Sequence, residues 1–196
     1  ETAACWDIAL RHTNGPSVIA LSRQNVPPLP SANMDDIKRG GYIVINAPNP
    51  RVVISATGTE VDIAVQTAKI LSTTHNIPTR VISVPCFEIF ASQDAIYKNK
   101  ILRNCHPGNA EGVIRDPLQN KDFMKIPDHA SRVRDDTPLI VGIEAGVRQG
   151  WDAIIGTDGL FFGLNTFGAS GKYKDVYAHF GLTPEHIAGE IIKKIK

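Results

Sequence analysis

Residues 51–71, RVVISATGTEVDIAVQTAKIL, restrict the fold of this chain more than any other stretch. Residues 52–54, VVI, favour an extended backbone because β-branched side chains pack well on a pleated surface. Gly58 then allows a turn with positive φ. Beyond the turn, apolar residues recur about every 3.6 positions, which predicts a helix. A second β-branched stretch follows at 79–84, TRVISV, so the sequence predicts a βαβ unit and a parallel sheet.

The start of the predicted helix bears on ligand binding. Thr59 is suited to the N-cap, and Glu60 and Asp62 place negative charge in the first turn, where the helix dipole favours it. A glycine turn between a strand and a helix also occurs in dinucleotide sites, but ATGTEVD lacks the G-x-G-x-x-G spacing. The two acidic residues disfavour an anion at the helix N-terminus. A structural turn is therefore favoured.

The composition narrows the class of protein. Hydrophobic residues are 42% and charged residues 21% of the 196, as in an ordinary soluble globular protein, so the chain can form a core. A net charge of +1 favours neither nucleic-acid nor membrane binding, and no apolar run reaches the length that spans a bilayer. Cys5, Cys86 and Cys105 show no C-x-x-C spacing, which favours a reduced intracellular setting. Because the chain begins with Glu1, we expect a piece of a longer protein.

The first 25 residues are predicted to form a helix at 1–12 and a buried strand at 17–21, SVIAL. These two elements alone make no core, so we expect them to complete a domain whose other elements precede Glu1. Residues 22–25, SRQN, follow the strand at its carboxyl end, the edge where α/β sheets bind ligands. Arg23 could present its planar guanidinium to a phosphate or a carboxylate. The alternative, a surface arginine paired with a nearby acid, stays open.

Residues 26–41, VPPLPSANMDDIKRGG, are predicted to be a linker between domains, because three prolines stiffen the stretch and a glycine pair ends it. The sequence after it alternates strands with helices, as an α/β domain requires. Strands are predicted at 42–46, 139–143 and, at a sheet edge, 160–162. Helices are predicted at about 88–97, 149–154, 173–180 and 184–194, the last with Thr183 as its N-cap.

Several side chains are expected to have structural roles. Phe90, Asp94 and Tyr97 are spaced i, i+4, i+7, which predicts one helical face that packs on the sheet or on a partner subunit. Cys86 is expected to be a small buried hydrophobe. Phe167, in a glycine-rich turn at 166–171, is expected to pack rather than to bind phosphate.

A long segment at about 103–134 has few periodic apolar positions, several prolines and many charges. Long irregular loops are commonly functional or disordered. Cys105, His106 and His129 within it suggest a metal site, but their spacing matches no zinc pattern, so no metal site is predicted in this chain.

The order of several motifs resembles the C-terminal part of transketolase. These motifs are LSRQNVPPLP, GGYIV, the strand-GTE-helix unit, VPCFEIFASQDAIY, VGIEAG, TFGASG and YAHFGLTPEHI. The SRQN tetrad is a specific signal, whereas the GTE turn and the EAG strand end are shared with other thiamine enzymes. The chain departs from the family at about 103–134, where transketolases have a much shorter connection, and at Asn165, where an aspartate is common.

The resemblance implies a fold and a domain organisation. Residues 1–25 would be the end of a pyrimidine-binding domain, 26–41 the interdomain linker, and 42–196 the transketolase C-terminal domain with an insert at about 103–134. In this family the C-terminal domain is an α/β fold with a mostly parallel sheet and flanking helices. It has no established contact with the cofactor.

The resemblance also implies transfer of a two-carbon ketol unit from a ketose phosphate to an aldose phosphate, with thiamine diphosphate and Mg²⁺ or Ca²⁺. The family builds its cofactor site from an N-terminal domain and the pyrimidine-binding domain of a second subunit. Because those residues are mostly absent here, this chain alone is expected to bind no cofactor and to be inactive. Only Arg23 is carried over, because it resembles the arginine that contacts the substrate phosphate. No catalytic, cofactor-binding or metal-binding residue is assigned.

The implied partners are sugar phosphates, the remainder of the same polypeptide and a second copy in a cytoplasmic homodimer, with neither nucleic acid nor membrane. Two alternatives stay open. One is a dihydroxyacetone synthase, a peroxisomal relative that uses formaldehyde as acceptor, and the long insert is the reason to consider it. The other is a non-catalytic interaction domain.

Overall fold

The computed structural model describes residues 1–29, 33–103 and 137–195. In chain order the elements are α1 (Thr2–Arg11), α2 (Met34–Ile37), β1 (Tyr42–Ile45), β2 (Val52–Ala56), α3 (Glu60–Thr74), β3 (Thr79–Ser83), α4 (Phe87–Ala91), α5 (Ala95–Leu102), β4 (Leu139–Ile143), α6 (Asp152–Ile155), β5 (Leu160–Phe162), α7 (Tyr173–His179) and α8 (Pro184–Ile195).

The sheet has the strand order β1-β3-β2-β4-β5. Strand β2 pairs in parallel with both β3 and β4, and β4 pairs in parallel with β5. Strand β1 pairs antiparallel with β3 at one edge. The predicted α/β fold with a mostly parallel sheet is confirmed, and β5 is the edge strand that the sequence indicated.

Each face of the sheet carries its own hydrophobic core. Strand β2 is buried along its whole length because both faces are covered, as in other parallel sheets. On one face, side chains of α3 and α8 pack against β2, β3 and β4. This core includes Val52, Ile54, Ala64, Leu71, Val81, Val141, Ile187 and Ile191. On the other face α4, α5 and α6 contribute to a second core, which includes Val53, Ile82, Phe90, Tyr97, Ile101 and Trp151.

The N-terminal region differs from the prediction at residues 17–21. Helix α1 forms as expected and packs through Ala4 against Ile37 and Tyr42. The predicted strand is wrong for this structure, because residues 17–21 pair with no strand of the described parts, and Val18 is 93% exposed. A strand needs a neighbouring strand as the hydrogen-bond partner of its backbone N–H and C=O groups. Residues 17–21 pair with neither edge strand of the described sheet, β1 or β5.

The predicted linker contains a short helix. Asn33 caps α2, accepting a hydrogen bond at its side-chain oxygen from the backbone N–H of Asp35 at 3.1 Å. Ile37, in the same helix, is buried. The second half of the 26–41 stretch is therefore folded onto the neighbouring elements, although the division into domains stays a prediction.

The predicted helix at 88–97 is broken into α4 and α5. The carboxylate of Asp94 accepts a hydrogen bond from the backbone N–H of Tyr97 at 2.7 Å and starts α5, so Phe90, Asp94 and Tyr97 do not share one helical face. The packing role is confirmed for Phe90 and Tyr97, which are both buried in the second core. The Tyr97 hydroxyl also donates to the carbonyl of Gly41 at 2.9 Å.

Two further expectations are wrong, and one group lies outside the described residues. Cys86 is half-buried, and its thiol donates to a carboxylate oxygen of Glu88 at 3.3 Å, so it is not an inert core residue. Phe167 is 98% exposed and does not pack within the described parts of the chain. The candidate metal ligands of the insert, Cys105, His106 and His129, fall within 104–136, which the structure does not describe.

Candidate functional site

The segment 22–25 lies beside the turn that leads from β2 into α3. A Cβ atom placed on Gly58 would lie 3.6 Å from the hydroxyl oxygen of Ser22. Gly58 has a φ of +58°, which explains the glycine that the sequence predicted for this turn. The SRQN segment thus contacts the carboxyl edge of the sheet, where α/β proteins bind their ligands.

A hydrogen-bond network joins this segment to two helices. The Nε2 group of Gln24 donates to the hydroxyl of Tyr177 on α7, at 3.4 Å. The Tyr177 hydroxyl donates in turn to a carboxylate oxygen of Glu60, the first residue of α3. The Thr59 hydroxyl donates to the same Glu60 oxygen at 2.9 Å and lies 3.4 Å from the Tyr177 oxygen. We call Gln24, Thr59, Glu60 and Tyr177 the Tyr177 network.

The surroundings of Tyr177 favour the protonated form of its hydroxyl. Glu60 is only 6% exposed, so its carboxylate depends on the two hydroxyl donors and on the N-terminal end of the α3 dipole. Burial, with a further contribution from the hydrogen bond to Glu60, raises the pKa of Tyr177 to about 12. Since its one proton is donated to Glu60, the Tyr177 oxygen is left to accept from Gln24.

Arg23 lies between Ser22 and Gln24 and is exposed. It forms no hydrogen bond or ion pair with any residue in the described parts of the chain. The alternative interpretation, a surface arginine paired with a nearby acid, therefore has no acid to support it among those residues. The guanidinium is available to a ligand at this edge of the sheet.

The sequence did not point to Tyr177 or to the full role of Glu60. Tyr177 is 153 residues from Gln24 in the chain, so no local spacing connects them. Glu60 was recognisable as an acid in the first turn of a helix, but its hydrogen bond from the Tyr177 hydroxyl depends on how α7 packs. The signal that could have been noticed is an acid directly after a glycine turn at a ligand-binding edge.

Comparison with known proteins identifies the family. Residues 40–110 and 127–183 match the family model of the transketolase-like TK C-terminal domain. The chain belongs to the transketolase family. It is 37% identical over 190 residues to the plasmid-encoded transketolase of Cupriavidus necator, covering 96% of this chain and 23% of that protein. It is also 37% identical over 199 residues to the transketolase of Sinorhizobium medicae, covering 100% of this chain and 24% of that protein.

Solved transketolases share the fold. The transketolase of Pichia stipitis, in complex with sedoheptulose 7-phosphate, superimposes with a TM-score of 0.76 at 28% identity, covering 99% of this chain and 23% of that chain. The transketolase of Leishmania mexicana gives a TM-score of 0.74 at 29% identity, with 97% and 23% covered. The chain thus spans about a quarter of the length of the transketolases it matches.

Within its described parts, the chain has no group of three or more His, Cys, Asp or Glu side chains placed to hold a metal ion. Those same parts contain no helix that is both long enough and apolar enough to cross a membrane. The candidate site consists of the exposed guanidinium of Arg23 and the Tyr177 network beside it.

Proposed function

We propose that this chain is the C-terminal part of an enzyme that transfers a two-carbon ketol unit from a ketose phosphate to an aldose phosphate. The observation that carries this proposal is its 37% identity to curated transketolases over 96% to 100% of its length. Because the chain covers less than a quarter of those proteins, the activity belongs to the complete polypeptide.

Thiamine diphosphate, with Mg²⁺ or Ca²⁺, would supply the carbanion stabilisation that ketol transfer needs. From the family resemblance, in which the cofactor site is built from other parts of the protein, we assign the cofactor and its metal to the rest of the polypeptide. To this chain we assign the binding of substrate.

Arg23 is proposed to bind the phosphate of the sugar substrate. Arg23 is exposed, the preceding Ser22 lies beside the turn that follows β2, and the guanidinium has no acidic partner among the described residues. A guanidinium can donate two parallel N–H bonds to phosphate oxygens, which fixes the far end of the substrate as well as attracting its charge. Arg23 would hold the substrate in position and take no part in the bond-making steps.

The domain organisation is proposed on the exposure of apolar residues near the N-terminus. Leu10, Val18 and Leu21 are 76%, 93% and 63% exposed, which suggests that they are covered in the complete protein. Residues 1–25 are accordingly proposed to complete a pyrimidine-binding domain, with residues 42–196 as the C-terminal domain. From the family resemblance we further infer a homodimer that acts in the cytoplasm.

The test is an assay of the full-length protein with thiamine diphosphate and Mg²⁺, using xylulose 5-phosphate as donor. Ribose 5-phosphate should be the better acceptor, and formaldehyde should be poor. The 196-residue chain alone should transfer no ketol groups and should show no micromolar binding of thiamine diphosphate by calorimetry. A full-length protein that transfers only to formaldehyde would be a dihydroxyacetone synthase, and one that transfers to neither acceptor would contradict the proposal.

A further inference from the structure

The segment that carries Arg23 has few attachments to the rest of the fold. Residues 17–25 form no helix or strand. Among the described residues, the hydrogen bond from Gln24 to Tyr177 is the one bond that ties residues 22–25 to the C-terminal elements. Gln24 directly follows Arg23, so whatever fixes Gln24 also restricts the backbone from which the guanidinium extends.

Tyr177 is held in place by its own packing and hydrogen bonds. Its ring packs against the core formed by α3 and α8, and it meets the ring of Tyr173 edge-on, with 6.0 Å between the centroids. Its hydroxyl donates to Glu60, whose carboxylate is buried at the first turn of α3 and also accepts from Thr59. The orientation of the Tyr177 hydroxyl is thus set by the buried Glu60, and its oxygen accepts a hydrogen bond from Gln24.

We propose that Tyr177 is a positioning residue for substrate-phosphate binding, which holds Gln24 and, through it, the guanidinium of Arg23 at the carboxyl edge of the sheet. Glu60 contributes indirectly, because its carboxylate orients the Tyr177 hydroxyl. This inference rests on the proposed role of Arg23. It adds that residues of the C-terminal domain set the geometry of a substrate contact that Arg23 makes.

The competing explanation is that Tyr177 only stabilises the fold. The two explanations differ in which substrates are affected. Loss of a positioning bond weakens binding of substrates that carry a phosphate, because only they use Arg23. A loss of stability alone lowers the amount of active enzyme and leaves the KM values for all donors unchanged.

The experiment uses the full-length enzyme with Tyr177→Phe, which removes the hydroxyl and keeps the ring. We expect the KM for xylulose 5-phosphate to rise about 3- to 10-fold, the range for loss of one hydrogen bond. The kcat with that donor and the KM for the unphosphorylated donor hydroxypyruvate should not change. Tyr173→Phe is the matched control, since it removes a hydroxyl from the same helix with no bond to the network, and it should alter neither KM.

A second variant keeps the test decisive if Tyr177→Phe folds poorly. Gln24→Met keeps the length of the side chain, removes its N–H donor and leaves Tyr177 and Glu60 in contact. It should raise the same KM selectively. The inference is overturned if both variants leave the KM for xylulose 5-phosphate unchanged, or if they change the KM values of both donors equally.

Combination with Arg23→Ala separates this inference from the function on which it rests. In the Arg23→Ala background, Tyr177→Phe should add no further increase in the KM for xylulose 5-phosphate. If Arg23→Ala is selective but Tyr177→Phe is not, the positioning role fails and the phosphate-binding role of Arg23 stands. If Arg23→Ala is itself not selective, both fail.

Discussion

Arg80 shows how a buried charge is accommodated in this fold. It lies on β3 and is 5% exposed, and burial lowers the pKa of its guanidinium. The side chain donates to the backbone carbonyls of Lys100 and Ile101, each at 3.1 Å, and to that of Arg103 at 3.3 Å. These carbonyls end α5, where the helix dipole is negative. Arg80 therefore acts as the C-terminal cap of a helix that is distant in sequence.

Replacing Arg80 with alanine should destabilise the chain by about 3 kcal/mol, because the carbonyls at the end of α5 lose a charged donor inside the protein. Arg80→Lys should recover only part of this loss, because lysine lacks the Nε group that donates to the side-chain oxygen of Asn46 at 3.1 Å. Urea denaturation of both variants measures the effect. A loss below about 1 kcal/mol in Arg80→Ala would show that water replaces the guanidinium at little cost.

The phenol of Tyr177 predicts a stability change at high pH. Burial and the Glu60 carboxylate raise its pKa from 10.0 to about 12. A raised folded-state pKa means that the neutral hydroxyl contributes full stability below about pH 10, and that this contribution is lost as the pH rises from about 10 to about 12. The unfolding free energy of the chain should fall across this window.

Tyr177→Phe is the variant that tests this decline, because it has no phenol to titrate at that position. Its unfolding free energy should fall less steeply than that of the wild type between about pH 10 and pH 12. Some decline should persist, since burial also raises the pKa values of Tyr42 and Tyr97. Equal slopes for the two proteins in urea titrations would show that Tyr177 does not carry the shift.

At the scale of elements, the connection from α2 to β1 depends on a close contact with α4. Gly40 has a φ of +78°, and a Cβ atom there would lie 2.5 Å from the backbone nitrogen of Phe90 and 2.6 Å from the carbonyl oxygen of Cys86. Neither the conformation nor the space admits a side chain. The Gly40-Gly41 pair, predicted to end a linker, is thus required for packing between elements.

Gly40→Ala should therefore destabilise the chain by more than 1 kcal/mol, through strain at positive φ and the clash with α4. Gly189 provides the opposite case, since it lies inside α8 and a Cβ atom there would meet nothing within 4 Å. Gly189→Ala should stabilise the chain by about 0.5–1 kcal/mol because alanine favours helix. Thermal unfolding measures the stability of both variants. An unchanged unfolding temperature for Gly40→Ala would contradict the predicted strain and clash at this position.

Strands β3, β4 and β5 and helix α8 are among the elements whose ends the sequence predicted best. Each was predicted within one residue of its ends, whereas β2, predicted at 52–54, extends two residues further, to Ala56. Continuous β-branched runs predict strands well because such side chains favour an extended backbone. The break between α4 and α5 was missed, since Asp94 can either continue a helix or cap a new one. Residues 17–21 have the composition of a strand, but pairing depends on neighbours that no local pattern specifies.

The same contrast applies to the candidate site. Arg23 was predicted from its place after an apolar run and from the SRQN motif, both of which are local in sequence. That Arg23 has no acidic partner among the described residues could be seen only in the structure. Tyr177 joins the site only through the packing of α7 on the end of α3, which sequence spacing does not encode.

For the molecule as a whole, the proposed domain organisation distinguishes this chain from the remaining polypeptide. The described sheet and its two cores lie within this chain, and the remaining polypeptide would cover the exposed side chains of Leu10, Val18 and Leu21. The site at the carboxyl edge would lie on the boundary between these two parts. Substrate binding at Arg23 would then depend on both, through the Tyr177 network on one side and the rest of the protein on the other.

A comparison of donors in the full-length enzyme carrying Arg23→Ala is the decisive test of phosphate binding by this residue. The KM for phosphorylated donors should rise roughly 10- to 150-fold, the equivalent of about 1.5–3 kcal/mol for a charge-assisted bond, while the KM for hydroxypyruvate should not change. Arg23→Lys should recover only part of the loss, because an ammonium lacks the planar fork. Equal weakening of both kinds of donor would contradict the account and show that Arg23 supports the fold instead of binding phosphate.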